Sequence, residues 1–448
     1  MTTYTAITIG PIGHTFSLAK KPREFWAASY LYSHLMKSII LSLKNNKFNI
    51  ISPAEPAQSK LGVGLYPDRV FFEGGEEFKF NIEEFCEDLK ISEAKDYFKV
   101  LQTSDEYDSA KSAIIGLNKK LDRLELSNYT FDKEAEEAIR FLLQKENKEV
   151  REKDHNSKWS DVFLEAFENK KFPIESLEDL ARKYEVDGEK HSFNDYFCIV
   201  QADADNMGKT IENGDITKIS QALISYAQEV VPMISNYGAM PIYAGGDDLL
   251  FIAPVVGKDE KNIFDLISDI DQVFAKEFQE MKGNPSLSYG ISITYYKFPL
   301  YEAWKKAASL LFDKAKNVNG KNAIAWELQK HAGSSFTGAF SKTNTDLYAA
   351  FKNIIAIKNQ KETLVSVVSH KLRENENLLD LFKTSDNLDV RLTAFFDKVI
   401  DAENAKDYKD AVKALLKQLY VTKEDNITRT IYGMLRTAKF INGEEDKQ

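Results

Sequence analysis

The stretch IYAGGDDLLFIAP, Ile242–Pro254, decides how this chain is read: two glycines and two aspartates stand between two short apolar runs. Apolar runs of that length around a glycine-containing turn read as the strands of a hairpin. Taken alone, Gly245-Gly246-Asp247-Asp248 is either an ordinary turn or a seat for metal ions. The neighbouring segments separate these readings. Upstream lie a strand, YFCIVQA, ending in ADADNMGK, and a helix, DITKISQALISYAQEVVPMIS. Downstream come a helix, EKNIFDLISDIDQVFAKEF, a strand, LSYGISITYY, a helix, LYEAWKKAASLLFDKAK, and a strand, NAIAW. The order is βαββαβ, the ferredoxin-like split, with one further strand. There the first and third strands are neighbours, so Asp203 is expected to face Asp247 and Asp248 across the sheet.

Three carboxylates so close repel one another unless a cation lies among them, and hard oxygen ligands suit Mg²⁺ or Mn²⁺. Two such ions roughly 3.5–4 Å apart activate an attacking hydroxyl and neutralise a leaving pyrophosphate, so nucleotidyl transfer without a dedicated general base is the expected chemistry. Asp203, Asp247 and Asp248 are the candidate catalytic and metal-holding residues. Gly245 and Gly246 fit by allowing positive φ and leaving room for a ligand. Asp205, Asn206, Met207, Gly208 and Lys209 would offer amide groups to a triphosphate, although Asp205 reads equally as a turn or helix-cap residue. Lys314, Lys316 and Lys321 would supply positive charge to the phosphates, or else complement a helix dipole.

A second acidic turn, FFEGGEEFKF with Gly74, Gly75, Glu76 and Glu77, reads as an ordinary hairpin. It follows the third strand of its own half, and the opposing strand end, ITIGPIG, bears no carboxylate. The six histidines are scattered without metal-ligand spacing.

At 448 residues, 43% hydrophobic and 29% charged, the chain is long enough for about two to four domains. A net charge of −10 excludes a surface that grips a polyanion over its whole extent, so contact with nucleic acid is local or borrowed from a partner. Cys86 and Cys198, the only cysteines, supply neither a disulfide framework nor a four-cysteine zinc site. No signal peptide or membrane span is legible, and a cytoplasmic protein is expected. The pattern divides into a β-α-β-β half over 1–85, a helical insert over 86–190, the hairpin-bearing half over 191–330 and a helical region over 331–448.

These residues resemble a family, the large polymerase-like subunit of type III CRISPR effector complexes, particularly of the Cmr type. The resemblance rests on GPIGHTFSLAKKPREFWAASYLYSHLM and GLYPDRV in the first half, and on ADADNMGK, YAGGDDLLF and SYGISITYYKFPLYEAWKKAASLLFDKAKNVNGKNA in the second. It implies an α+β fold with two palm domains, of the nucleotide-cyclase and polymerase kind, alternating with two helical domains. It also implies an enzyme switched on when its complex, built from other type III subunits, captures target RNA through a crRNA. The product is a second messenger made from ATP, commonly cyclic oligoadenylate, with pyrophosphate released. The first palm would hold the acceptor and the second the donor. The alternatives are a non-catalytic scaffold subunit and a free-standing dinucleotide cyclase.

Three departures bear on that expectation. Many relatives begin with a nuclease domain carrying a His-Asp pair; this sequence has no His-Asp dipeptide, so DNase activity is not expected. The cysteines allow no zinc site. Where relatives read Pro-Asn-Arg near the acceptor pocket, this chain has Pro67-Asp68-Arg69. A carboxylate there repels a triphosphate and favours a cation, and S-adenosylmethionine carries a sulfonium and an ammonium group. Some members of the family join ATP to that cofactor, so the resemblance makes it the alternative co-substrate. The competing reading makes Asp68 a turn residue paired with Arg69 or a lysine of the insert.

Overall fold

Two β-sheets carry the molecule, one of four strands and one of six. The structure is a computed structural model, and it describes residues 1–54, 61–75, 77–126, 130–144, 174, 176–184, 190–357, 362–384, 387–399, 406–422 and 426–443. The first half runs β1 Thr2–Gly10, α1 Ile12–Leu18, α2 Pro22–Asn45, β2 Ile50–Ser52, β3 Arg69–Glu73, α3 Ile82–Asp88, β4 Lys99–Tyr107 and α4 Ala110–Glu125. Its strands stand in the order β2-β3-β1-β4. Helices α5 Lys133–Gln144 and α6 Leu177–Ala181 follow.

The second half runs β5 Tyr196–Asp205, α7 Met207–Asn213, α8 Ile216–Tyr237, β6 Met240–Gly245, β7 Asp248–Pro254, α9 Ile263–Phe278, β8 Ser286–Tyr295, α10 Leu300–Ser309, β9 Ala323–Gln329 and β10 Ser335–Ser341. The order β10-β9-β8-β5-β7-β6 puts the apolar β5 between β7 and β8, both antiparallel to it. Local chemistry sets the helix ends. The Asp215 carboxylate accepts from the amides of Thr217 and Lys218 at the start of α8, and Gly238 closes it at φ 101°. The chain ends in α11 Thr345–Ala356, α12 Glu362–Glu374, α13 Glu376–Leu381, α14 Leu388–Val399, α15 Lys406–Val421 and α16 Ile427–Ile441.

Both sheets contribute to one core. Phe197, Ile199, Met240, Ile242, Leu250 and Ile252 of the second sheet pack with Phe25, Leu31 and Leu35 of α2. The loop before β3 is stitched to β6: the Ala244 amide donates to Gly64 O at 3.1 Å, and the Trp26 indole donates to Gly62 O at 2.8 Å. A Cβ at Gly64 would stand 2.8 Å from Ser33 Cβ, so only glycine permits that approach. The stitching brings Asp68 to the second sheet.

Two boundaries differ from the sequence reading. The helical insert expected over 86–190 contains β4, which pairs with β1 along its whole length. Its residues, KVLQTSDEY, are only half-buried or exposed, so no apolar run marks the strand. The first palm therefore extends past 85. The helical region expected from 331 opens with β10, a short strand whose Gly338 lies against the Trp326 ring. Residues 145–173 of the expected insert lie outside the described residues. Cys86 and Cys198 are buried free thiols. Among the described residues no helix is long and apolar enough to cross a membrane.

Candidate active site

The C-terminal end of β5 and the tip of the β6–β7 hairpin meet as neighbours. Asp203 is register-paired with Asp248, and Gly245 with Asp248 on the other side. Gly246 and Asp247 form the two-residue turn, and the Ala204 amide donates to Asp247 O at 3.2 Å. Gly246 has φ 64°, a conformation that favours glycine. Gly245 lacks positive φ; a Cβ there would instead meet the Tyr243 ring at 2.6–2.8 Å.

Charge is concentrated here. Burial, then Asp203, pushes the Asp247 carboxyl up to about 6. Burial and the adjacent Asp247 raise Asp248 well above the ordinary carboxylate range, and burial raises Asp203. Lys316 is the counter-charge. Its ammonium pairs with the Asp203 carboxylate and donates to Asp203 O at 3.0 Å, Ala204 O at 2.9 Å and Asp205 Oδ1 at 2.9 Å. Burial opposes that charge, but the aspartates outweigh it and raise the lysine's pKa.

The Asp205 side chain is turned into the protein. It is fully buried and accepts from Ser286 Oγ at 3.0 Å, Ser288 Oγ at 2.8 Å and the Asn322 amide at 2.9 Å, besides Lys316. It ties β5 to β8 and to the turn before β9. Sequence reading did not pick out the two serines, although the alternation Ser286-Leu287-Ser288 places them on one face of β8. Asn206 is left-handed at φ 63° and donates to Asn284 O at 3.3 Å. Met207 lines a cavity, whereas Gly208 and Lys209 are exposed. Lys314 and Lys321 are also exposed, so of the three lysines only Lys316 reaches the carboxylates.

The phase of Lys316 has a local cause. After α10 the chain makes a π-helical turn, Leu310–Lys314, and the Ala315 amide donates to Leu310 O. The extra residue in that turn shifts the phase of the residues after it, Lys316 among them. Gly290 on β8 makes room, because a Cβ there would overlap the Ala307 carbonyl oxygen and the Leu311 amide.

Two cavities open beside the carboxylates, and Pro67, Asp68 and Asp248 line both. The larger, about 370 Å³, lies between Met207, Ile211 and Leu223 on one side and Phe71 and Asn118 on the other. The smaller, about 210 Å³, lies between α2 of the first half and β5, β7 and the π-helical turn of the second. Asp68 is half-buried, and burial raises its carboxyl although Arg69 pulls the other way. Arg69 lines the larger cavity and is not among the residues that line the smaller. Its guanidinium holds α4, donating to Asn118 and Asp122 at 2.8 Å and to Glu125 at 2.9 Å.

Among the described residues no three His, Cys, Asp or Glu side chains are already gathered at metal-ligating distance of one point. The donor set nevertheless fits a hard divalent cation: three carboxylates on adjoining strand ends, with Asp247 and Asp248 pushed up by burial and by the neighbouring aspartates.

Residues 4–90 match the family model described as CRISPR-associated protein Cmr2, N-terminal, and residues 196–325 match Cas10/Cmr2, second palm domain. A curated relative, CRISPR system Cmr subunit Cmr2 of Pyrococcus furiosus, is 34% identical over 215 residues, which are 40% of this chain. The match spans 24% of that relative's length. Among solved structures the fold is similar to a type III-B Cmr-beta complex in the apo state, with TM-score 0.59 and 13% identity over 99% of this chain and 82% of that one. A Csm1–Csm4 cassette in complex with one ATP gives 0.57 and 13% over 98% and 70%, and one in complex with cA4 gives 0.54 and 11% over 98% and 70%. The two matched segments fall one on each sheet, and they are those of the Cas10/Cmr2 family of type III CRISPR subunits, Cmr type.

Proposed function

We propose that this chain is the catalytic large subunit of an RNA-guided type III CRISPR complex, and that target RNA activates it to transfer the adenylyl group of ATP. The pairing of Asp203 with Asp248, with Asp247 at the adjoining tip, carries the reading. In the reaction an acceptor hydroxyl loses its proton to solvent and its oxygen forms a bond to the α-phosphorus of ATP, while the bond to the bridging β-phosphate oxygen breaks and pyrophosphate leaves. Asp203, Asp247 and Asp248 would hold Mg²⁺ or Mn²⁺. When bound, such ions neutralise the phosphates and lower the pKa of the attacking hydroxyl.

The chain's own residues prepare that chemistry. Lys316 and Asp205 fix the end of β5, so that Asp203 meets the hairpin in one register. Gly246 leaves the backbone bare beside the larger cavity, which suits the donor nucleotide. The smaller cavity suits the acceptor, and Asp68 on its wall supports S-adenosylmethionine alongside a second ATP as the molecule adenylated there. The related cassettes solved with ATP and with cA4 support the nucleotide reading.

The test is release of pyrophosphate from labelled ATP by the assembled complex, with target RNA and Mg²⁺ or Mn²⁺, with and without S-adenosylmethionine. The wild type is expected to release it and the Asp247→Ala/Asp248→Ala variant to release none while assembling normally. Equal behaviour of the two would leave a scaffold, and RNA-independent turnover of GTP by the chain alone would indicate a dinucleotide cyclase.

A further inference from the structure

Three consecutive residues in the turn before β9 stand in the left-handed region: Gly320 at φ 82°, Lys321 at φ 54° and Asn322 at φ 47°. Lysine rarely adopts that conformation, so the turn is held by its neighbours and not by its own residues. On one side the Asn322 amide donates to Asp205 Oδ2 at 2.9 Å. On the other side β10 ends against it: the Lys342 amide donates to Asn322 O at 2.6 Å, and the Ser341 hydroxyl donates to Lys321 O at 3.2 Å. The turn is thus clamped between the end of β10 and the carboxylate that fixes the end of β5.

Lys342 is itself anchored. Its side chain is only 5% exposed, its ammonium pairs with Asp271 of α9, and it lies over the Tyr289 ring at 4.4 Å. The same Asp271 oxygen accepts from Tyr289 Oη at 3.0 Å. Tyr289 stands on β8, register-paired with Ala202, the residue before Asp203. Its neighbour Ser288 donates to Asp205 and accepts from the Ala323 amide at 3.2 Å. Two routes therefore run from the Lys342–Asp271 pair to Asp205, one through the main chain of the turn and one through β8. An ion pair whose cation is buried is a weak source of stability, because desolvating the charge offsets much of the attraction. What this pair supplies is a fixed position for the main chain of Lys342.

We propose that Lys342 and Asp271 are positioning residues for the metal-holding carboxylates. They hold the turn over 320–322, the turn holds Asp205, and Asp205 with Lys316 sets Asp203 against the β6–β7 hairpin. This rests on the reading that Asp203, Asp247 and Asp248 hold the divalent ion.

Mn²⁺ binding to the full chain, measured by calorimetry beside Tm, tests this without turnover. Lys342→Met/Asp271→Asn keeps side-chain volume, removes both charges together and retains an acceptor for Tyr289. It is expected to weaken Mn²⁺ binding about tenfold with Tm unchanged, the usual effect of losing a group that orients a metal ligand. Ser341→Ala, which takes one hydroxyl from the same turn, should weaken it about threefold. Lys342→Arg, which keeps the cation, should stay closer to the wild type than the double variant does. Wild-type Mn²⁺ affinity in the double variant and in Ser341→Ala, or a fall in Tm with affinity unchanged, would overturn the proposal; Ser341→Ala decides if the double variant does not fold. Absence of Mn²⁺ binding in the wild type, or binding that survives Asp247→Ala/Asp248→Ala, would remove the metal reading and the proposal with it. If the affinities follow the expected order but the assembled complex releases no pyrophosphate, the catalytic reading fails and the positioning assignment stands.

Discussion

At the scale of single residues the site is an excess of negative charge held by one ammonium. Lys316→Met would leave the fully buried Asp205 and its neighbour Asp203 without their shared cation, and removing one partner of a buried ion pair costs about 3–5 kcal/mol. Urea denaturation should show a loss of that order, and Lys316→Arg should restore part of it. Asp247 gives a pH dependence. Its value, raised from 3.8 to about 6, lies above the unfolded one, so its contribution to stability is complete below about pH 4 and is lost as pH rises through about 6. Protons and divalent cations therefore compete, and Mn²⁺ affinity measured by calorimetry should increase as pH rises through about 6. Asp203, Asp247 and Asp248 were legible because topology makes their strand ends neighbours. The burial of Asp205 was not, since its partners come from β8 and from the turn before β9, more than 80 positions away in sequence.

At the scale of elements the placement of Lys316 depends on the π-helical turn, which depends on Gly290. Gly290→Ala would drive a methyl group into the Ala307 carbonyl and the Leu311 amide and displace that turn. A loss of about 1–3 kcal/mol is expected for such overpacking, read as a fall in Tm. The Asp215 cap offers a milder comparison, Asp215→Ala costing about 1 kcal/mol. Elements with strong periodicity or continuous apolar runs, such as α8 and β5, were legible in the sequence. β4 and β10 were not: one is a polar edge strand with half-exposed faces, and the other is a seven-residue strand that pairs only with β9. β4 lacks the alternation that a one-sided core imposes, whereas β10 alternates in burial over only seven residues, with Phe336 and Phe340 its only large apolar side chains.

At the scale of the whole molecule the two sheets are not separable bodies. Helix α2 buries Phe25, Trp26, Leu31 and Leu35 in a core that includes the far face of the second sheet. Trp26→Ala would empty part of that core and free the Gly62 carbonyl, at about 3–5 kcal/mol. Hydrogen exchange should then show protection falling together in β1, β3, β6 and β7. The sharing of a core between the halves was not legible, because nothing in the local pattern of α2 says which sheet it will cover.

That union has a thermodynamic consequence. Asp68 immediately precedes β3 of the first sheet and Asp248 opens β7 of the second, and each forms a wall of both cavities. A charge entering one chamber alters the potential felt in the other, and linkage requires the influence to be mutual: whatever factor the first occupant applies to the second's affinity, the second returns.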